Sequence, residues 1–158
     1  MSESTRRNFF LALVAIALLH TGAHLSQSFV NYPGWYAFES ESFKAYHGPM
    51  SIRSVFVLML PRLAEIVIAL MLLRFRPEAV PGWVLWIGIS LALGALLSTV
   101  LIQRPIHAQL DIDGNTPELV SRLIATDWIR NVLEWMRAAL YLWALSRLIN
   151  QGARPRAV

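Results

Sequence analysis

Two arginine–glutamate pairs lie inside segments that are otherwise apolar enough to cross a lipid bilayer. Arg62 and Glu65 fall within 53–73, and Glu134 and Arg137 within 127–149. A charge near the bilayer centre costs on the order of 3 kcal/mol on insertion scales, so such residues face a bundle interior and mark a site by default. His20 and His24 stand four residues apart in a third apolar segment, with Gln27 continuing the stripe. That spacing puts all three on one helical face. Three chemistries fit these groups. In metal-free acid–base catalysis, Glu134 or Glu65 is the general base, His20 its proton partner, and Arg62 or Arg137 the holder of a carbonyl, phenolate or developing oxyanion. In the metal reading, His20 and His24 ligate one ion, completed by Glu65, Glu134 or His107; a haem would take His24 with His107 or His47. In the structural reading the charges neutralise one another and the histidines fill hydrogen-bonding positions, although apolar residues would pack as well at less desolvation cost. The Glu-x-x-His pairs of carboxylate-bridged di-iron bundles are missing. The residues alone leave all three readings open, and with them whether the cofactor is a metal, a haem or none.

Each group needs an element to position it. Asp127, Arg130, Asn131, Glu134 and Arg137 recur every three or four residues, which predicts one polar stripe on a helix. Pro61, just before Arg62, predicts a kink. A further segment contributes Ser98, Thr99 and Gln103, with His107 beyond it. At about 1.5 Å per residue, His24 lies roughly 7 Å from the outer end, Glu134 roughly 11 Å, and His20, Arg62 and Arg137 about 13–15 Å. Glu65 is deepest, at about 18–20 Å. One polar pocket in the outer half of a bundle is therefore expected, opening outward or sideways to lipid.

Composition supports that frame. Of 158 residues, 56% are hydrophobic and 15% charged, against about a quarter charged in soluble domains. Apolar stretches of spanning length occur at 8–29, 53–73, 82–102 and 127–149. The fold class read from this is all-α: a single domain over 1–158, an integral membrane antiparallel four-helix bundle in the lipid bilayer. With no cysteine, disulfide and thiolate chemistry are excluded. The net charge of +4 does not imply nucleic acid, because the arginines sit where topology needs them. Arg6 and Arg7 precede the first span, Arg74 and Arg76 flank the turn after the second, and Arg147, Arg154 and Arg156 end the chain. The positive-inside rule then places both termini in the cytoplasm. Thr5-Arg6-Arg7-Asn8-Phe9-Phe10 resembles a twin-arginine signal, but three more spans follow and the first is expected to stay uncleaved.

The connections carry their own expectations. The aromatic stretch from Val30 to Ile52 is expected to be an external loop on the membrane surface, with a lid over a cavity as the alternative. Asp111-Ile112-Asp113-Gly114-Asn115 has the start of a calcium loop but not its closing glutamate, so a turn is expected. Thr116 would cap a short helix begun by Pro117, and Thr126 or Asp127 would cap the fourth span. Gly88, Ser90, Gly94 and Ser98 permit close helix approach, and Gly88 with Gly94 would give a homo-oligomer only a small surface. No inverted repeat suggests a transporter.

Several short motifs are similar to a four-helix bacterial membrane family of unassigned domain function, whose named members are anthrone oxygenases. They are Phe43-Lys44-Ala45-Tyr46-His47, Met50-Ser51-Ile52-Arg53, Pro61 to Glu65, Gln103-Arg104-Pro105-Ile106-His107, and Thr126-Asp127-Trp128-Ile129-Arg130-Asn131 with Trp135 and Arg137. The resemblance implies a bacterial inner-membrane oxidoreductase or oxygenase acting on a hydrophobic, polycyclic phenolic molecule. It departs from the family pattern at Asp127, where asparagine is expected, and at Asn131, where threonine is expected. The rival from another class is a non-catalytic binding or assembly protein stabilised by its Arg–Glu pairs.

Overall fold

A computed structural model describes residues 1–152. Its elements are helical, and no strand occurs among the described residues. Four long helices follow one another: α1 (Glu3–Ala37), α2 (Ser40–Phe75), α3 (Gly82–Asp113) and α4 (Pro117–Gly152). The first three are long and apolar enough to cross a membrane. The fourth carries Asp127, Arg130, Glu134 and Arg137 along its middle. Helices α1 and α3 each pack against both α2 and α4, so α2 and α4 face each other across the bundle.

Two apolar clusters enclose a polar layer. One cluster gathers Phe10, Leu13, Leu72, Leu85, Tyr141 and their neighbours, and the other gathers Tyr32, Trp35, Phe43, Ile106, Leu110 and Leu123. The buried polar residues of α1 and the buried charged residues of α2 and α4 fall between them in sequence, and the order of the layers reverses from each helix to the next. The ends agree. Glu78, in the turn after α2, donates its backbone N–H to Glu3 at 3.4 Å. At the other end Asn115 donates to the carbonyls of Trp35 and Phe38, at 2.7 and 2.8 Å. Gly114 adopts φ 79°, and a Cβ there would collide with Ser40. Leu19, Phe56, Trp86 and Leu101 are all more than half exposed, so large apolar side chains stand on the outside of α1, α2 and α3.

The helices correct two expectations. The stretch 30–52 is not a loop: it completes α1 and forms the first part of α2, and 104–113 likewise prolongs α3. Their apolar residues are spaced by three or four, and they bury themselves in the second cluster. Thr116 accepts from the N–H of Leu119 at 3.4 Å, as a cap should, but the helix it opens runs unbroken through 126–127. Thr126 instead bonds back to the Arg122 carbonyl at 2.8 Å. The 111–115 segment is a helix end and turn, as expected.

The prolines act through widened turns rather than sharp breaks. Gln27–Asn31, Val55–Met59 and Thr99–Gln103 are π-helical turns, and in each case a proline (Pro33, Pro61, Pro105) is the second residue after the turn. A proline ring clashes with the carbonyl four residues before it, and each of those carbonyls lies inside the π turn. Such turns accommodate one extra residue in the helix. Gly88 matters for a different reason: a Cβ there would overlap the Tyr141 ring, so this glycine lets α3 lie close against α4. Gly94 also faces α4, but a Cβ there would only touch Leu133, at 3.4 Å.

Candidate polar site between the helices

The deepest charges form a closed ring. Arg62 donates to Glu65 at 2.9 Å and also pairs with Glu134. Arg137 pairs with Glu134 and lies 2.9 Å from Glu65. Because α2 and α4 face each other, i and i+3 positions on each meet at the centre, and two cations bridge two anions. All four side chains are buried. The ring leans on α1: Arg62 donates to His20 Nδ1 at 3.0 Å, and Arg137 to the Thr21 hydroxyl at 3.3 Å.

A second cluster lies toward the aromatic end. Arg130 donates through Nε to Asp127 at 2.7 Å, to the Thr99 hydroxyl at 3.3 Å and to the Tyr32 hydroxyl at 3.2 Å. Ser28 also pairs with Asp127 and donates to Asn131 at 3.2 Å. His24 Nε2 stands 3.7 Å from Asp127 and makes no hydrogen bond. From Tyr32 the contacts continue outward. Its hydroxyl is 3.4 Å from His107 Nε2, His107 Nδ1 is 3.0 Å from His47 Nε2, and His47 Nδ1 is 2.6 Å from Asp111.

Two cavities adjoin these groups. The smaller, about 50 Å³, is lined by His20, His24, Arg62, Arg130 and Glu134 among others. The larger, about 380 Å³, is lined by Tyr32, His107, Asp111 and Arg130, with Met50, Val100 and other mostly apolar residues as its walls. Leu58, Met59, Thr99 and Arg130 border both, so the two are neighbours. Residues of all three π turns line the larger cavity: Gln27, Leu58 and Met59, and Thr99 with Val100. The widened turns stand where the helices open around it.

The expected site residues therefore divide. His20, Arg62 and Glu134 border the small cavity, whereas Glu65 and Arg137 line neither and support the ring from behind. The candidate metal ligands separate: His20 and His24 line the smaller cavity and His107 the larger. Among the described residues no group of three or more His, Asp or Glu is arranged to hold a metal ion. Gln103 is buried and donates to Thr126 at 2.9 Å, away from both cavities, and Asn131 and His47 act through Ser28 and His107. Tyr32, Ser28, Thr21 and Asp111 join the site without having been expected there. A signal for two of them was present: His20, His24, Ser28 and Tyr32 follow one another at strict four-residue steps.

No family model matches the chain, and comparison with curated proteins and with solved structures gives no match either.

Proposed function

We propose that this chain is an antiparallel four-helix bundle of a bacterial inner membrane, with both termini cytoplasmic, that binds and oxidises a hydrophobic hydroxylated aromatic molecule. The observation that carries the reading is the larger cavity. Its volume of about 380 Å³ is within the range of small-molecule sites, roughly 300–1,000 Å³. Its wall is mostly apolar in area, with Arg104, Asp111 and several hydroxyl and amide groups along it, and Arg130, Tyr32 and His107 also line it. A planar polycycle fits such a space, with its phenolate or enolate oxygen on the Arg130 guanidinium. Membrane placement is supported by the three apolar helices, by the exposed leucines and tryptophans, and by Arg6, Arg7, Arg74, Arg76 and Arg147 near one end of the bundle.

The chemistry proposed is that implied by the anthrone-oxygenase resemblance. A base removes a proton from the ring methylene, and Arg130 stabilises the enolate that results. Dioxygen, small enough for the neighbouring 50 Å³ cavity, then takes the electrons. One oxygen atom becomes the new carbonyl and the other leaves as water with the two methylene hydrogens. Glu134 is a poor candidate for the base, since Arg62, Arg137, His20 and Thr21 all engage its oxygens. Tyr32 and His107, which line the larger cavity, are better placed.

A second reading has its own observation. The Glu65–Arg62–Glu134–Arg137 ring closes on itself, so these four groups serve as structural glue whether or not a ligand binds. The test is turnover of anthrone by the purified protein in lipid nanodiscs, following oxygen uptake and anthraquinone absorbance. One oxygen consumed per quinone is expected. Arg130→Gln, which removes the anion holder, should lower the rate about a hundredfold, and Ala108→Trp, which fills the larger cavity, should abolish it without unfolding the protein. A well-folded protein that turns over no anthrone leaves only the structural reading.

A further inference from the structure

The row Tyr32–His107–His47–Asp111 runs along the wall of the larger cavity, which Tyr32, His107 and Asp111 all line, to the exposed Asp111 side chain, and with both imidazoles neutral its hydrogen-bond directions follow from its two ends. The Asp111 side chain is 47% exposed, while that of His47 is fully buried. A carboxylate only accepts, so His47 Nδ1 must carry its proton and donate it to Asp111. In the neutral ring His47 Nε2 is then an acceptor, and His107 Nδ1 donates to it. His107 Nε2 is in turn an acceptor, and the Tyr32 hydroxyl donates to it. At the inner end Arg130, which has no acceptor atom, donates to the Tyr32 oxygen. Every donor in the row points outward. The rings that bound it are apolar or aromatic: Trp35 packs edge-on against both His47 and His107, and Phe43 stacks on His47 at 5.0 Å. The charged groups facing the row are Arg130 with its partner Asp127 at one end, Arg104 at the cavity wall, and Asp111 at the other end.

We propose that this row is a proton relay that takes a proton from a weakly acidic hydroxylated aromatic in the larger cavity and delivers it to the outer surface. The ligand's O–H or C–H proton passes to the Tyr32 oxygen as the Tyr32 proton moves to His107 Nε2. The His107 Nδ1 proton moves to His47 Nε2, and the His47 Nδ1 proton to Asp111, which exchanges it with water. Four bonds to hydrogen break and four form; the ligand is left as its anion beside Arg130, and no redox step is involved. The row returns to its starting order by tyrosine and imidazole rotation or by reversal. The inference rests on the larger cavity being the ligand site. Tyr32 meets the ligand, and His107 and, at the exposed end, Asp111 also border the cavity. His47 lines neither cavity and acts only through its neighbours, so it isolates the relay from binding.

Two measurements test it. In ligand-free protein in lipid bilayers, ¹⁵N NMR of the histidines should show His47 and His107 both protonated on Nδ1, and Asp111→Ala should scramble that order. Protonation of either ring on Nε2 in the wild type overturns the relay, whether or not any ligand binds. The second uses alizarin, a hydroxyanthraquinone whose colour reports its own ionisation. After a stopped-flow pH jump, ionisation of the bound dye should be about a hundredfold slower in His47→Phe than in the wild type, with dye affinity unchanged. His47→Gln, which keeps hydrogen bonding but has no second ring nitrogen, should be equally slow and guards against misfolding of the first variant. Equal rates in wild type and variants overturn the relay. A wild-type protein that does not bind alizarin counts against the ligand site, and the relay then stands or falls on the histidine tautomers alone.

Discussion

Arg62, Glu65, Glu134 and Arg137 each have two partners inside the ring, so no single replacement removes only one interaction. Taking out one member of a buried ion pair leaves the other charge uncompensated and costs about 3–5 kcal/mol. Glu65→Gln or Arg137→Gln alone should therefore destabilise the protein by about 3 kcal/mol in denaturant unfolding from detergent micelles. The double variant keeps the neutral Arg62–Glu134 pair and should cost less than the sum of the singles, with a coupling of about 1–3 kcal/mol. Strict additivity would show that the ring is not a unit. At this scale the sequence was informative in part: spacing alone put His20, His24 and the Asp127-to-Arg137 stripe on inward faces, where all are buried, although they divide between two clusters rather than sharing the one pocket expected. Tyr32 continued the four-residue steps of His20, His24 and Ser28, but a tyrosine near a membrane surface has an ordinary interfacial explanation, and on Asp111 the sequence was silent. Only the fold brings them to one row with His107 and His47.

The helices themselves explain what was misread. The aromatic rings of 30–52 suit the headgroup zone, hence the expected surface loop, and Pro33, Gly34, Gly48 and Pro49 are poor helix formers by local preference. The competing signal was the spacing of Tyr32 and Trp35, of Phe43 and His47, of Ile106 and Leu110, and of Val120 and Leu123, which pair up on helical faces. Tertiary burial of those aromatic and aliphatic side chains outweighed local preference, and the π turns absorbed three of the prolines. A π turn holds one residue more than the α-helix it interrupts. Deleting Val57 together with Pro61→Ala should therefore restore a continuous α-helix and leave Arg62 and Glu65 facing inward. The expected outcome is a folded, monodisperse protein with a thermal transition close to that of the parent, but without ligand binding, since Leu58 and Met59 leave the cavity wall. Deleting Leu70 instead, within regular helix, should rotate the following turn out of register and destabilise the protein strongly. If the two deletions are equally damaging, the account of the π turn is wrong.

The whole molecule is longer than the membrane it is proposed to cross. Helices of 32–36 residues span about 48–54 Å, against about 30 Å of hydrocarbon. On that proposal the aromatic cluster around Trp35 and Phe43 would form a cap beyond the outer leaflet, where the half-exposed Asp111 side chain would meet water. Tryptophans mark the other boundary: Trp83 packs against Trp143 at 5.3 Å, and Arg147 lies over the Trp143 ring at 5.1 Å, an arrangement suited to the headgroup region. The polar layer lies between these limits, and the requirement that its charges pair internally follows from that depth. The chain has no cysteine, which makes its placement directly measurable. Single cysteines at Ser2, Glu78, Ser40 and Asp113 would be labelled in intact cells with a membrane-impermeant maleimide, before and after permeabilisation. Ser40→Cys and Asp113→Cys should label from outside, and Ser2→Cys and Glu78→Cys only after the membrane is opened. Labelling of all four positions from the same side would contradict a bundle that crosses the membrane, and with it the reading of the buried charges as an intramembrane site.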